Sequence, residues 1–222
     1  MILQRFMKII KYLIQFIIIC IFYVIFKIIG VKLSSFLSGK LFEIIGPIFR
    51  SKKIINDNIK KAFPDYNSKE FDKIKSSMWN NYGRVFAEYL YMKNFRNGNL
   101  SKNVSIEGKD ILLNIKDQNQ KVVFISGHFS NFELMAMQID KIGIKIGAIY
   151  RPLNNIFLNK FMERIRKKYI CNNQIKKGIG GLKELIKLNN QGFSKALMIF
   201  FLNRSSLVST SEVDLLCMFL FR

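Results

Sequence analysis

Histidine occurs once in 222 residues, at His128, so any chemistry that needs several imidazoles is out of reach. Cysteine is almost as scarce. Cys20, Cys171 and Cys217 lie far apart, with no Cys-x-x-Cys among them. A zinc site needs clustered Cys and His ligands and a disulfide framework needs paired cysteines, so neither is expected. Reduced thiols facing the cytoplasm are the simplest reading, and no metal or other cofactor is called for. Acidic residues are few as well: 15 Asp and Glu stand against 36 Lys and Arg, a net charge of +21. The chain has no internal repeat, no low-complexity linker and no recognised nucleic-acid motif, so nucleic acid is not the expected partner. No Gly-x-Ser-x-Gly elbow surrounds Ser130, which argues against a serine nucleophile there.

What is present is apolar and basic. Half of the residues are hydrophobic and 14% are aromatic, mostly Phe, enough to build the core of one domain of ordinary size with an appendage. The positive charge favours an anionic partner, whether anionic lipid, an acidic protein or nucleic acid. Biased codon usage is the alternative source, because Lys, Asn and Ile are abundant throughout.

Tyr12 to Phe26 is apolar except for Gln15, and Lys27-Ile28-Ile29-Gly30 extends the run. Roughly 18–20 residues are about enough to cross a ~30 Å hydrocarbon layer as a helix. Arg5, Lys8 and Lys11 precede it as in a signal peptide, but no small-residue cleavage site follows, so an uncleaved anchor is expected. Lys27, Lys32, Lys40, Arg50, Lys52 and Lys53 outnumber the basic residues before the run, which places the body of the protein on the cytoplasmic side. A helix lying in the membrane interface is the alternative, since Lys11 and Lys27 limit the apolar length.

Beyond the anchor, Leu33 to Phe49 reads as a second apolar helix broken by Gly39, Gly46 and Pro47. Ile54 to Phe63 reads as a short helix stopped by Pro64. Asn67 or Ser68 caps a long amphipathic helix to about Met92, and the Asn-rich segment 94–101 is expected to be a loop. Val104-Ser105-Ile106, Lys121 to Ser126, Ile144 to Tyr150 and Ala196 to Phe200 read as strands. Helices are expected over Asn131–Ile139, Ile156–Tyr169 and from the Gly178-Ile179-Gly180-Gly181 turn to Asn189. The alternation predicts an α/β fold: a mostly parallel sheet with helices on its faces, behind an N-terminal membrane-anchor helix. The expected division is an anchor over 1–30, a helical region over 31–100, an α/β domain over 101–200 and an atypical tail over 201–222.

The candidate site is Ser126-Gly127-His128-Phe129-Ser130-Asn131-Phe132-Glu133. It follows the apolar strand Val122–Ile125 and runs into a helix start, where ligand sites of open α/β sheets lie. A lone imidazole there can take a proton from a hydroxyl, and a carboxylate five residues on can orient it and stabilise the imidazolium. That His-x4-Glu pair suits transfer of an acyl group to a hydroxyl. The competing reading is structural: Ser130-x-x-Glu133 is also a capping-box pattern, in which Glu133 only closes the helix N-terminus.

Taken with other segments, these residues resemble the bacterial lipid A biosynthesis lauroyl/myristoyl acyltransferases, within the larger glycerolipid acyltransferase group. The resemblance covers about residues 1–199. It rests on Gly127-His128-Phe129-Ser130-Asn131-Phe132-Glu133, on Tyr150-Arg151-Pro152-Leu153-Asn154-Asn155, and on Lys177-Gly178 with the helix after it. Asn58 to Pro64, Gly83-Arg84 through Glu88-Tyr89, and Ile106-Glu107-Gly108 are weaker echoes. The resemblance implies a fatty acyl chain carried by acyl carrier protein, a lipid A precursor as hydroxyl acceptor, and no cofactor. It implies His128 and Glu133 as the catalytic pair, with Arg151 and Arg164 as candidates to bind substrate phosphate. Residues 151–187 are rich in Lys and Arg against only Glu163 and Glu184, a surface suited to a phosphorylated glycolipid, anionic headgroups or an acidic carrier protein. The Gly178–Gly181 turn opens a helix whose free N–H groups suit an anion, or is a plain turn.

The resemblance stops at Ile199. In the family an Asp-Gln pair follows such a strand; here Phe200-Phe201-Leu202-Asn203-Arg204 follows. The expectation is a truncated or frame-altered chain with the C-terminal part of the fold missing. An inactive membrane remnant of such an enzyme is therefore the alternative to an active acyltransferase.

Overall fold

The computed structural model describes residues 2–127 and 130–198. His128 lies outside the described residues, as does the tail beyond Met198. The described chain forms two compact units: Ile18–Tyr91 is one, and residues 2–17 with those from Met92 onwards are the other.

α1 (Ile2–Ile29) contributes its two halves to different units. It is the one helix among the described residues long and apolar enough to cross a membrane, by length and composition. Most of its circumference is exposed, including Leu3, Phe6, Ile14, Ile21, Val24 and Ile28. The covered residues form a stripe: Tyr12, Gln15, Phe16, Ile19, Cys20, Phe22 and Ile29 are half-buried, and Tyr23 and Phe26 are buried.

In the unit Ile18–Tyr91, α2 (Val31–Phe49) pairs with α4 (Ser68–Glu88), and α3 (Lys52–Ala62) buries Ile55 and Ile59. Small residues set the pairing of α2 with α4. A Cβ on Gly83 would lie 2.2 Å from the Ser38 carbonyl oxygen, and one on Gly46 would lie 2.3 Å from the Trp79 ring. Ser38 donates its hydroxyl to the Gly83 carbonyl at 2.7 Å, and Ser35 donates to Glu88 at 3.0 Å. The glycines expected to break α2 are thus its contact points, and the helix runs on through them. Asn67 caps α4 by accepting from the Lys69 and Glu70 amides, while Glu70 accepts from the Asn67 amide, a complete capping box.

The other unit holds α5 (Met92–Asn97), α6 (Lys109–Asp117), β1 (Val123–Ser126), α7 (Glu133–Ile142), β2 (Ile146–Tyr150), α8 (Ile156–Tyr169), β3 (Asn173–Lys176), α9 (Ile179–Asn190) and β4 (Ser194–Met198). The four strands form one parallel sheet in the order β1-β4-β2-β3. Its core joins Leu112 and Ile115 of α6, Phe124, Met135 and Ile139 of α7, Ile146, Cys171 and Ala196. Arg96 ties three helices together: it donates to the last carbonyls of α8, Tyr169 and Ile170, and to Asp140 of α7 at 2.6 Å. Cations at a helix C-terminus meet the negative end of its dipole.

The α/β class with a parallel sheet is therefore the observed one. Several local expectations fail. Val104–Ile106 joins no sheet; it leads into Gly108, a left-handed residue that starts α6. Neither α6 nor the edge strand β3 is among the expected elements: α6 is only nine residues long, although Ile111, Leu112 and Ile115 give it an apolar face, and β3 carries one buried residue. The expected loop over 94–101 is helical as far as Asn97, because Met92 and Phe95 are buried.

Candidate active site

Parallel strands in register end together, so the residues after β1, β2 and β3 gather at one edge of the sheet. Ser126 ends β1, Tyr150 ends β2 and pairs in register with Lys176, which ends β3. The Lys177 amide donates to the Tyr150 carbonyl at 2.8 Å and holds the last two ends together.

Glu133 is the first residue of α7 and is 7% exposed. Its carboxylate does not belong to a capping box of the kind Ser130-x-x-Glu133 suggested: α7 begins after Phe132 with no side-chain cap bond. Instead, Glu133 Oε1 accepts from Arg166 Nε at 2.8 Å and from Arg166 Nη2 at 2.6 Å. The two side chains are 8% and 14% exposed, which makes this the most deeply buried ion pair among the described residues. A charged pair taken out of water survives only with close geometry and further polar contacts.

Those contacts come from α8 and β2. The Arg166 guanidinium lies 5.4 Å from the centre of the Tyr150 ring, a cation over an aromatic face. Tyr150 donates its hydroxyl to Glu163, which also accepts from Asn159 at 3.1 Å and faces Lys176 at 3.4 Å. The hydrogen bond from Tyr150, more than the neighbouring Lys176, holds the Glu163 carboxyl below its usual range. Burial, reinforced by the hydrogen bond to Glu163, pushes the Tyr150 phenol well above its ordinary value. The hydroxyl is therefore a donor, not an anion, at neutral pH.

Arg151 follows β2 directly and is exposed, and Arg164 is exposed on the outer side of α8. Neither forms an ion pair among the described residues, and neither reaches the Glu133 carboxylate. Arg166, not Arg164, is the arginine that meets the predicted acid. Helical spacing carried that signal: Asn155, Asn159, Glu163, Arg166 and Ile170 recur at intervals of three and four, one stripe of α8, with Arg164 well off it. Among the described residues no group of three His, Cys, Asp or Glu side chains converges as metal ligands would.

The start of α8 meets the first half of α1. Asn155 caps α8 by accepting from the Phe157 and Leu158 amides at 3.1 Å. Its amide nitrogen reaches the Tyr12 carbonyl at 2.9 Å and Gln15 Oε1 at 3.3 Å. Phe16 packs on Phe157 and Phe161 beside them. Gln15, the one polar residue of the apolar run, is thereby accounted for.

A family model described as bacterial lipid A biosynthesis acyltransferase matches residues 3–216. The chain belongs to this family. The expectation that the resemblance stops at Ile199 is thereby corrected, since the match continues to residue 216. No curated protein matches the chain. As a member of the family the chain is an acyltransferase of lipid A biosynthesis, with a lipid A-type acceptor, and its α/β sheet with an N-terminal apolar helix agrees with an acyltransferase-like fold.

Proposed function

We propose that this acyltransferase moves a fatty acyl chain from the thioester of acyl carrier protein to a hydroxyl of a lipid A precursor, with His128 as general base. His128 takes the alcohol proton as the alkoxide oxygen attacks the thioester carbonyl. The tetrahedral intermediate then expels the carrier thiolate, which leaves with that proton as a thiol. Glu133 orients the imidazole and stabilises its charged form. A neighbouring guanidinium offsets part of the carboxylate's charge, so orientation is the larger part of Glu133's role. Arg151 and Arg164, exposed beside the sheet edge and on α8, are assigned to phosphate of the acceptor, which an arginine fork binds in bidentate fashion.

The observation that carries this reading is the buried Glu133 carboxylate held by Arg166 at the carboxyl end of the sheet, five positions after the only histidine. A carboxylate with a purely local capping role needs neither burial nor a buried arginine. For the membrane setting we propose that α1 holds the protein to the inner membrane with the domain on the cytoplasmic face. Because Asn155 of α8 reaches Tyr12 and Gln15 in the first half of α1, a helix lying in the interface is favoured over a full crossing.

The test is acylation by the purified chain in lipid nanodiscs, with acyl carrier thioester and lipid A precursor. A positioned general base is worth about 10²–10⁴ in rate, so His128→Ala should lose that factor. Undiminished acylation by His128→Ala would remove the imidazole from the mechanism. Failure of the unsubstituted chain to form any ester, under conditions where an active member of the family works, favours the reading of an inactive member.

A further inference from the structure

α9 has two apolar faces, and the sheet uses only one. Leu185 and Leu188 point inward, their methyl groups lying 3.7 and 3.2 Å from where a Cβ on Gly147 of β2 would sit. Gly181 brings the helix against β3 so closely that a Cβ there would stand 1.8 Å from the Lys176 carbonyl oxygen. The seating of α9 is therefore fixed. Its other apolar residues, Ile179, Leu182 and Ile186, recur at three- and four-residue intervals and are 82%, 57% and 55% exposed. Lys183 and Lys187 run along the row beside them, and Lys176 and Lys177 stand just before the helix begins.

From this arrangement we infer that the outer face of α9 is a second membrane contact, in which Ile179, Leu182 and Ile186 enter an anionic bilayer while Lys183 and Lys187 reach its headgroups. Bulky aliphatic side chains set singly along a convex helix offer no pocket for a shaped partner, whereas acyl chains accept them without complementary shape. Lysines beside an apolar stripe extend their stems along it and keep their ammonium groups at the phosphate level. The inference goes beyond the acyltransferase reading and borrows only the bilayer from it. Its consequence for that reading is position: α9 starts beside the end of β3, so seating it on lipid brings the sheet edge with Tyr150 and Lys176 to the surface where a lipid acceptor lies.

The test uses the full chain with Cys20→Ala and Cys217→Ser, Cys171 being buried. A single environment-sensitive fluorophore is attached through Leu182→Cys, through Glu184→Cys on the wet side of α9, or through Ile17→Cys on α1. Each protein is placed in phosphatidylglycerol or phosphatidylcholine nanodiscs. The expected result at Leu182→Cys is a blue shift and protection from a soluble quencher in phosphatidylglycerol, both reduced by Lys183→Glu with Lys187→Glu, while Glu184→Cys stays quenchable. Leu182→Cys as quenchable as Glu184→Cys, with Ile17→Cys protected, overturns the α9 contact and leaves the anchor standing. Protection at Leu182→Cys with Ile17→Cys exposed keeps the α9 contact and removes the anchor. Protection that appears only when acyl carrier protein is added assigns the face to the carrier and overturns the inference. Equal protection in both lipids and in a lipid-free amphipathic polymer means that the chain covers the face itself, which also overturns it.

Discussion

Replacing Glu133 with Gln keeps the shape of the side chain but removes the charge that Arg166 faces. A buried guanidinium left without its carboxylate costs on the order of 3–5 kcal/mol. Glu133→Gln should therefore lower the melting temperature as well as the rate, whereas His128→Ala should lower the rate alone. Paired thermal melts and initial rates of the two variants separate those outcomes. Arg151→Ala and Arg164→Ala, at exposed positions, should leave the melt unchanged and raise KM for the phosphorylated acceptor with little change in kcat. Glu163 gives a pH signature. Its folded pKa is held below its ordinary value of 4.5, so the stabilisation it brings is complete above that pH and fades as acid protonates the folded carboxylate. The stability difference between the unsubstituted protein and Glu163→Gln should be full at pH 7 and shrink below about pH 4.5, as melts across that range would show. Cys171 is 1% exposed, and its burial pushes the thiol up to about 12. It should resist maleimide at neutral pH and react once the protein is denatured, which mass spectrometry of the labelled chain reads directly. At this scale Glu133 stands out in the sequence as a candidate because it follows a lone histidine by five positions, and its burial against Arg166 is what the sequence does not show. Arg166 was hidden among neighbouring basic residues, and only the stripe shared by Asn159 and Glu163 distinguishes it.

Elements were legible where a cap and a clear period coincide. The span of α8, Ile156–Tyr169, matches the expected one because Asn155 closes its first turn and the apolar residues after it keep helical spacing. The capping box at Asn67 fixed the start of α4 in the same way. By contrast, β3 is a sheet-edge strand whose sequence Asn-Gln-Ile-Lys buries only Ile175, so pairing with β2, not pattern, makes it a strand. Val104-Ser105-Ile106 has the alternation of a strand but finds no partner. The pairing of α2 with α4 was not legible either, since Gly39 and Gly46 read as breakers, and Gly83 as one residue of a long helix, until the other helix is beside them. Gly83→Ala tests that pairing. Forcing a methyl group toward the Ser38 carbonyl, to a separation of 2.2 Å, should cost roughly 1–3 kcal/mol as the helices part. A melt of Gly83→Ala measures it, with Ser38→Ala expected to lose the smaller value of about 1 kcal/mol for one hydrogen bond.

For the molecule as a whole, charge and apolar surface bear on the same question of where it works. A net charge of +21 and an exposed apolar helix at the N-terminus both suit the anionic membrane proposed as its place of work. With the cytoplasmic placement proposed here, a protease added to spheroplasts should leave the domain intact, and the same protease added to inverted vesicles should degrade it. Immunoblotting both preparations checks the orientation. Binding of the acyl carrier protein proposed as donor should weaken as salt rises, as titrations at increasing ionic strength would show. The contact of Gln15 with Asn155 adds a constraint of another kind. A rod that is greasy on every side has no preferred bearing in lipid and is free to spin about its long axis. One amide-to-amide catch part-way along it removes that freedom for whatever is attached to α8, so the unit that carries Glu133 and Arg166 keeps one compass heading about the first half of α1.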